Sequence, residues 1–210
     1  MPVPTKLCAL TFDDGPDPVK TERVLAKLRT YGVRATFFVV GSRLNEHTRP
    51  VLQKMLELGC ELANHSWDYN SLASAPSEIV REKFQKTQHA IVTYAGMEAR
   101  FFRPPNLAVS TTMYEVLPLP FVGGILGYDW AGCGTTAEDR AQRVLGEIAD
   151  GAIILLHDVQ PDPHPTPEAL DILIPELQRQ GFELVTLSEL FARKGIDPAS
   201  RSGSMWKYVR

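Results

Sequence analysis

Only three cysteines occur in 210 residues, and Cys8, Cys60 and Cys133 lie too far apart for a CxxC pair or a zinc ribbon. An odd, scattered set excludes a disulfide framework. All three read as free thiols, with Cys8 as a small hydrophobe inside an apolar run. Long apolar runs are missing too: Ala152-Ile153-Ile154-Leu155-Leu156 is far too short to cross a bilayer, so no membrane partner is expected. Basic excess is missing as well. Lys and Arg number 22 against 25 Asp and Glu, a net charge of -3 that offers nucleic acid no basic face. Met1-Pro2-Val3-Pro4 lacks the charged, then apolar, pattern of a signal peptide. The chain therefore reads as cytoplasmic or, the preferred expectation, as the catalytic module of a secreted enzyme. No G-x-S-x-G, HExxH or P-loop occurs, and no GxGxxG follows a strand. These absences argue against a serine hydrolase, a zincin and a nucleotide-binding enzyme.

What is present begins at Thr11-Phe12-Asp13-Asp14-Gly15-Pro16-Asp17, at the end of the apolar run Leu7-Cys8-Ala9-Leu10. Gly15-Pro16 stops the predicted strand. Adjacent carboxylates resist joint ionisation, a cost that a divalent cation or a proton-transfer role would relieve. An Asp-rich turn is the plainer reading of the dipeptide alone.

Strand-like and helix-like segments alternate from there on. Strands are predicted at Leu7–Phe12, Ala35–Val40, Cys60–Asn64, Phe101–Arg103, Phe121–Ile125, Ala152–Leu156 and Glu183–Thr186. Helices are predicted at Lys20–Tyr31, Pro50–Leu58, Ser77–Tyr94, Glu168–Gln180 and Ser188–Lys194. Another opens with a capping box at Thr135 and Glu138, and Thr186 and Glu189 suggest a second box. This alternation predicts an α/β fold, a parallel sheet of about seven strands, open or closed into a barrel. Residues 1–196 form one domain, and 197–210 read as a polar tail.

Polar residues recur at the C-terminal ends of the predicted strands: Asp13-Asp14, Asn64-His65, Arg103-Pro104-Pro105, Asp129-Trp130 and His157-Asp158. That edge is where parallel α/β folds gather their active sites. A carboxylate and an imidazole can hold a borderline metal such as zinc, cobalt or nickel, which acidifies water and polarises a carbonyl. A second carboxylate could then act as base, paired with Arg103, and a distal His as acid. Such parts suit hydrolysis of an ester or amide. His47 and His89 read as solvated, and His164, in a Pro-rich loop that could overhang the site, as structural.

In this order the motifs resemble those of the NodB-like polysaccharide deacetylases of carbohydrate esterase family 4, over roughly residues 6 to 192. The resemblance implies a distorted (β/α) barrel with fewer than eight complete units. It implies Asp13 as base, Asp14 and His65 as metal ligands, and Arg103 as the partner of the base. Asp129 would support the acid His157. Trp130, Leu155 and Pro105 would line the substrate pocket.

Two positions depart from the family pattern. Tyr69 stands where a second His ligand is usual, which implies a weaker site with extra waters and leaves cobalt or nickel plausible beside zinc. Gly123-Gly124-Ile125-Leu126 is less polar than usual. Both departures resemble the clostridial acetylxylan esterases of the family, which implies an acetylated xylan as the partner. An N-deacetylase of chitooligosaccharide or peptidoglycan is the alternative, and a metal-free carbohydrate-binding relic is a third reading from another class. Oligomeric state is not legible.

Overall fold

Strict alternation along one buried strand sets the frame. This computed structural model describes residues 6–210, and in it β1 (Lys6–Asp13) is buried from Leu7 onward. Cys8, Leu10 and Phe12 pack outward beneath the helices, while Leu7 and Ala9 pack inward. Thr11 and Asp13 continue the inward row. The chain proceeds through α1 (Lys20–Tyr31), β2 (Thr36–Val39), α2 (Arg49–Glu57), β3 (Glu61–Asn64), α3 (Ser77–Ala95), α4 (Thr111–Val116) and β4 (Ile125–Leu126). It ends with α5 (Ala137–Glu147), β5 (Ala152–His157), α6 (Thr166–Arg179), β6 (Phe182–Val185) and α7 (Leu187–Lys194).

All pairs between these strands are parallel. β1 pairs with β5 along one edge. Its other edge takes β6 beside its first half and β2 beside its last residues. β3 adds to β2, and β4 to β5. Single bridges then carry the sheet round: Asn64 to Phe102, Phe102 to Phe121, Val122 to Trp206, and Tyr208 back to Ala152 of β5. The result is a distorted barrel.

Two sequence expectations are corrected here. Phe101–Arg103 and Phe121–Ile125 shrink to these bridges and the two-residue β4, leaving six named strands among the described residues. Pro104 and Pro105 have no N–H to extend a ladder. The expected tail is also no tail. Trp206 and Val209 are buried in the inner core beside Val122 and Ile153.

Helix starts follow local chemistry. The capping box of α5 sits one residue later than expected: Thr136 Oγ1 accepts the Asp139 N–H at 3.1 Å, and Asp139 Oδ2 accepts the Thr136 N–H at 2.9 Å. The box on Thr186 and Glu189 is as expected. α4, which the sequence pattern did not suggest, is capped by Ser110. Cys8 and Cys60 are free, and burial pushes their thiols up to about 12 and about 11. The Cys133 side chain lies outside what the structure describes. Among the described residues no helix is long and apolar enough to cross a membrane.

Candidate active site

β1 and β5 run in register, and that register places Asp13 directly opposite His157 at the barrel's C-terminal mouth. Successive strand residues face opposite ways, so Asp14 would normally point away from Asp13. It does not, because Asp14 leaves the strand with φ at 80°. Such left-handed backbone costs a non-glycine residue of order 1–3 kcal/mol and collects at functional sites. Gly15 follows, and a Cβ there would lie 2.2 Å from Asp158 Oδ2. Only glycine lets this turn pack so closely.

A cavity of about 480 Å³ opens at this mouth. Asp13, Asp14, His65, Tyr69, Pro105, Trp130, Leu155 and His157 line it, all of them residues the sequence singled out. Arg103 and Asp129 stand behind the lining, both fully buried. The Arg103 guanidinium donates to Asp13 Oδ1 at 2.6 Å and to the carbonyls of Val122 and Gly123 at 3.1 and 2.7 Å. It also lies over the Phe38 ring. Asp13 Oδ2 stays open to the cavity side, 3.8 Å from His65 Nε2.

His65 Nδ1 bonds the Arg103 carbonyl at 2.8 Å, so it carries the proton of the neutral ring and leaves the Nε2 lone pair free. That nitrogen lies 3.5 Å from Asp14 Oδ1. Burial disfavours a charge on His65, but the Asp13 and Asp14 carboxylates outweigh it and raise its proton affinity above the usual imidazole range. The same field would draw a divalent cation to the point where that proton would sit. Asp14 Oδ1 and His65 Nε2 therefore fit a cation with two protein ligands. Among the described residues no third His, Cys, Asp or Glu completes a cage. Tyr69 does not substitute for one: its hydroxyl donates to the Asp14 carbonyl at 3.1 Å and accepts from Arg43. Gln160, also in the cavity wall, donates to Asp14 Oδ2 at 2.7 Å and holds that carboxylate in place.

On the opposite wall, His157 Nδ1 bonds Asp129 Oδ1 at 2.7 Å, and the His157 backbone N–H donates to Asp129 Oδ2 at the same distance. Burial opposes charge on the imidazole, yet Asp129, aided by Asp13 and Asp14, pushes it up to about 9. Burial likewise opposes charge on Asp129, but the His157 charge and hydrogen bonds keep its carboxyl below the usual range. The edge of Trp130 meets the His157 ring, and Trp130 itself is 43% exposed at the rim. Gly124 lets its strand approach Leu155, since a Cβ there would meet the Leu155 Cβ at 2.9 Å.

Sequence reasoning missed Gln160, Leu126, Asn106 and Leu107 in the lining. His164, expected to be structural, is so. This residue is buried behind His157, its Nε2 bonded to the His157 carbonyl at 2.9 Å, and does not overhang the cavity. His47 and His89 are exposed as expected. Asp158 is buried too, with Oδ1 unpartnered among the described residues, and burial pushes it up to about 7.

Comparison with known proteins points the same way. The profile of the polysaccharide deacetylase family matches residues 1–118. The structure resembles a family 4 acetyl xylan esterase from Clostridium thermocellum, solved with a cobalt ion: 51% identity, TM-score 0.94, covering 97% of this chain and 99% of that one. It also resembles the Xyl-CE4 domain of a multidomain xylanase from the hindgut metagenome of Trinervitermes trinervoides, at 40% identity and TM-score 0.93 over 98% of each chain. In sequence it is 42% identical over 193 residues to a bifunctional xylanase/deacetylase of Pseudobutyrivibrio xylanivorans. That alignment covers 92% of this chain but spans only 32% of the relative's length.

Proposed function

Because the chain belongs to the polysaccharide deacetylase family, within carbohydrate esterase family 4, we propose that it hydrolyses O-acetyl groups from xylan, with a divalent cation as cofactor. The observation that carries the reading is one cavity with two differently equipped walls. Asp13 on Arg103 faces the Asp14–His65 pair on one side, and His157 on Asp129 closes the other. A cation held by Asp14 and His65, whether cobalt, nickel or zinc, would polarise the acetyl carbonyl and lower the pKa of water.

The chain's own groups handle the protons. Arg103 occupies Asp13 Oδ1, so Oδ2 is the atom left to take a proton from the attacking water. His157 gives Nδ1–H to Asp129, which aims Nε2 into the cavity. Held protonated up to about 9, the ring delivers its Nε2 proton to the departing sugar oxygen. Water oxygen joins the acetyl carbon, the carbon–oxygen bond to the sugar breaks, and acetate and a free hydroxyl result. Leu155 and Pro105 wall off space for a methyl group, while exposed Trp130 and Tyr69 offer a sugar flat faces at the rim.

The xylan assignment rests on likeness to an acetyl xylan esterase and to the Xyl-CE4 domain of a multidomain xylanase. On that likeness we place the chain as a catalytic module acting outside the cell on plant polysaccharide. Acetate release should be measured on acetylated xylo-oligosaccharides and on chitin oligomers, after chelation and after adding back cobalt, nickel or zinc. Metal-restored release from the xylan substrate alone is the expected result. Release from chitin oligomers alone would make the chain an N-deacetylase, and full activity in metal-free protein would remove the cation from the mechanism.

A further inference from the structure

Arg140, on α5, is fully buried, yet among the described residues it forms no direct ion pair. A buried charge without a direct ion pair is costly, and the Asp129 and Glu168 carboxylates act on this one only from beyond that range. Its donors go to neutral groups: Nε to Thr135 Oγ1 at 3.0 Å, Nη1 to Thr166 Oγ1 at 2.8 Å, and Nη2 to the Gly132 carbonyl at 3.1 Å. Nη1 also approaches His164 Nδ1 at 3.4 Å.

Two arms leave this guanidinium and meet at one residue. In the first, Thr166 Oγ1 accepts from Arg140, so its own proton goes to Asp129 Oδ2 at 2.8 Å, and Asp129 holds the His157 ring. In the second, His164 turns Nδ1 to Arg140 and therefore donates from Nε2 to the His157 carbonyl. The bond to Gly132 ties in the turn that carries Asp129 and Trp130.

We infer that Arg140 is a positioning residue for His157, a buried cation that fixes the ring's orientation through Thr166 and Asp129 and its backbone through His164. This rests on the reading of His157 as the acid. The sign of the electrostatic effect follows. Asp129, Asp13 and Asp14 favour the proton of the imidazole, whereas His65, His164 and Arg140 are the neighbours that oppose it or stay neutral, and a cation held by Asp14 and His65 would oppose it as well. Arg140 thus moderates what the carboxylates do and keeps His157 a better acid.

The test uses zinc-loaded protein, with His157 followed by NMR titration and kcat/KM followed against pH. Arg140→Met should raise the His157 midpoint by on the order of half a pH unit. It should move the alkaline limb of kcat/KM up by the same amount and lower kcat about tenfold at neutral pH. Arg140→Lys, which keeps the charge, should hold both near the wild-type positions. Loosened packing alone would lower activity without lifting the limb. A folded Arg140→Met with unmoved midpoint and kcat overturns the inference, as does a Lys variant that shifts as far as Met. Should the Met variant not fold, Thr166→Val breaks the first arm: an upward shift supports the inference and an unmoved midpoint defeats it. The NMR titration needs no substrate, so a chain that released no acetate would refute the proposed function and leave this result readable.

Discussion

Tyr69 shows how much one side chain can decide. Its hydroxyl is already engaged by Arg43 and the Asp14 carbonyl, so it braces the backbone of a candidate ligand instead of joining the ligands. An imidazole at 69 lacks that reach and would face the cavity shared with Asp14 and His65. Tyr69→His should therefore raise zinc affinity about tenfold or more, read by calorimetry on apoprotein. Unchanged affinity with an intact fold would place residue 69 away from the cation. The two adjacent carboxylates should separate equally cleanly. Asp13→Asn should lose ~10²–10⁴-fold in kcat while retaining metal, whereas Asp14→Ala should lose the metal itself, measured by elemental analysis. His157 sets the pH dependence. As the proposed acid it would act only when protonated, and because it is pushed up to about 9, kcat/KM should fall as pH rises through that value. Asp129→Asn removes the raising charge, and the limb should then drop towards the ordinary imidazole range. The motif residues were legible because each ends an apolar run. Gln160 and Arg140 were not, since their roles come from bonds 24 to 146 residues away in sequence that no local pattern encodes.

At the level of elements, continuous apolar runs placed the buried strands. β1 and β5 both read as apolar runs, but a run alone cannot show register; only the pairing of Asp13 with His157 does. Long elements, such as α1 and α3, matched their expected spans closely. Short ones did not. β4 has two residues, and α4 has six, too few for periodicity to emerge. The α5 box slipped by one because Thr135-Thr136 offers two threonines followed by two acids, Glu138 and Asp139, at the same spacing. Tertiary contact separates them: Thr135 is claimed by Arg140, which leaves Thr136 to cap. Thr136→Ala should thus cost about 1 kcal/mol in urea unfolding with little change in kcat. Glu138→Gln should leave stability unchanged, and the reverse pattern would restore the box to Thr135.

For the whole molecule, the last residues strengthen the closure of the barrel. The path from β3 through Phe102 and Phe121 reaches β5 through β4, and Trp206 and Tyr208 add a second link between Val122 and Ala152. The sequence hid this because 197–210 is polar on average, and its two inward residues, Trp206 and Val209, are too few to form a visible pattern. Trp206 is buried, stacks edge-on to Phe191, and gives its indole N–H to the Pro198 carbonyl at 2.9 Å. Its main chain matters as much. The Trp206 carbonyl accepts the Gly123 N–H at 2.8 Å, and the Gly123 carbonyl in turn accepts from Arg103, which holds Asp13. A short chain of bonds therefore runs from the C-terminal segment to the candidate base. Trp206→Ala should cost about 3–5 kcal/mol by loss of packing, since the indole leaves a large cavity. Its folded fraction should keep most of its kcat, because the backbone bond to Gly123 survives. Removal of residues 204–210 should lower both the unfolding midpoint and kcat, since it takes away that bond as well. Comparing the two in urea melts and in kcat at a temperature where both are folded separates packing from support of Arg103. Equal kcat in the two variants would show that the segment braces the barrel without steadying the site.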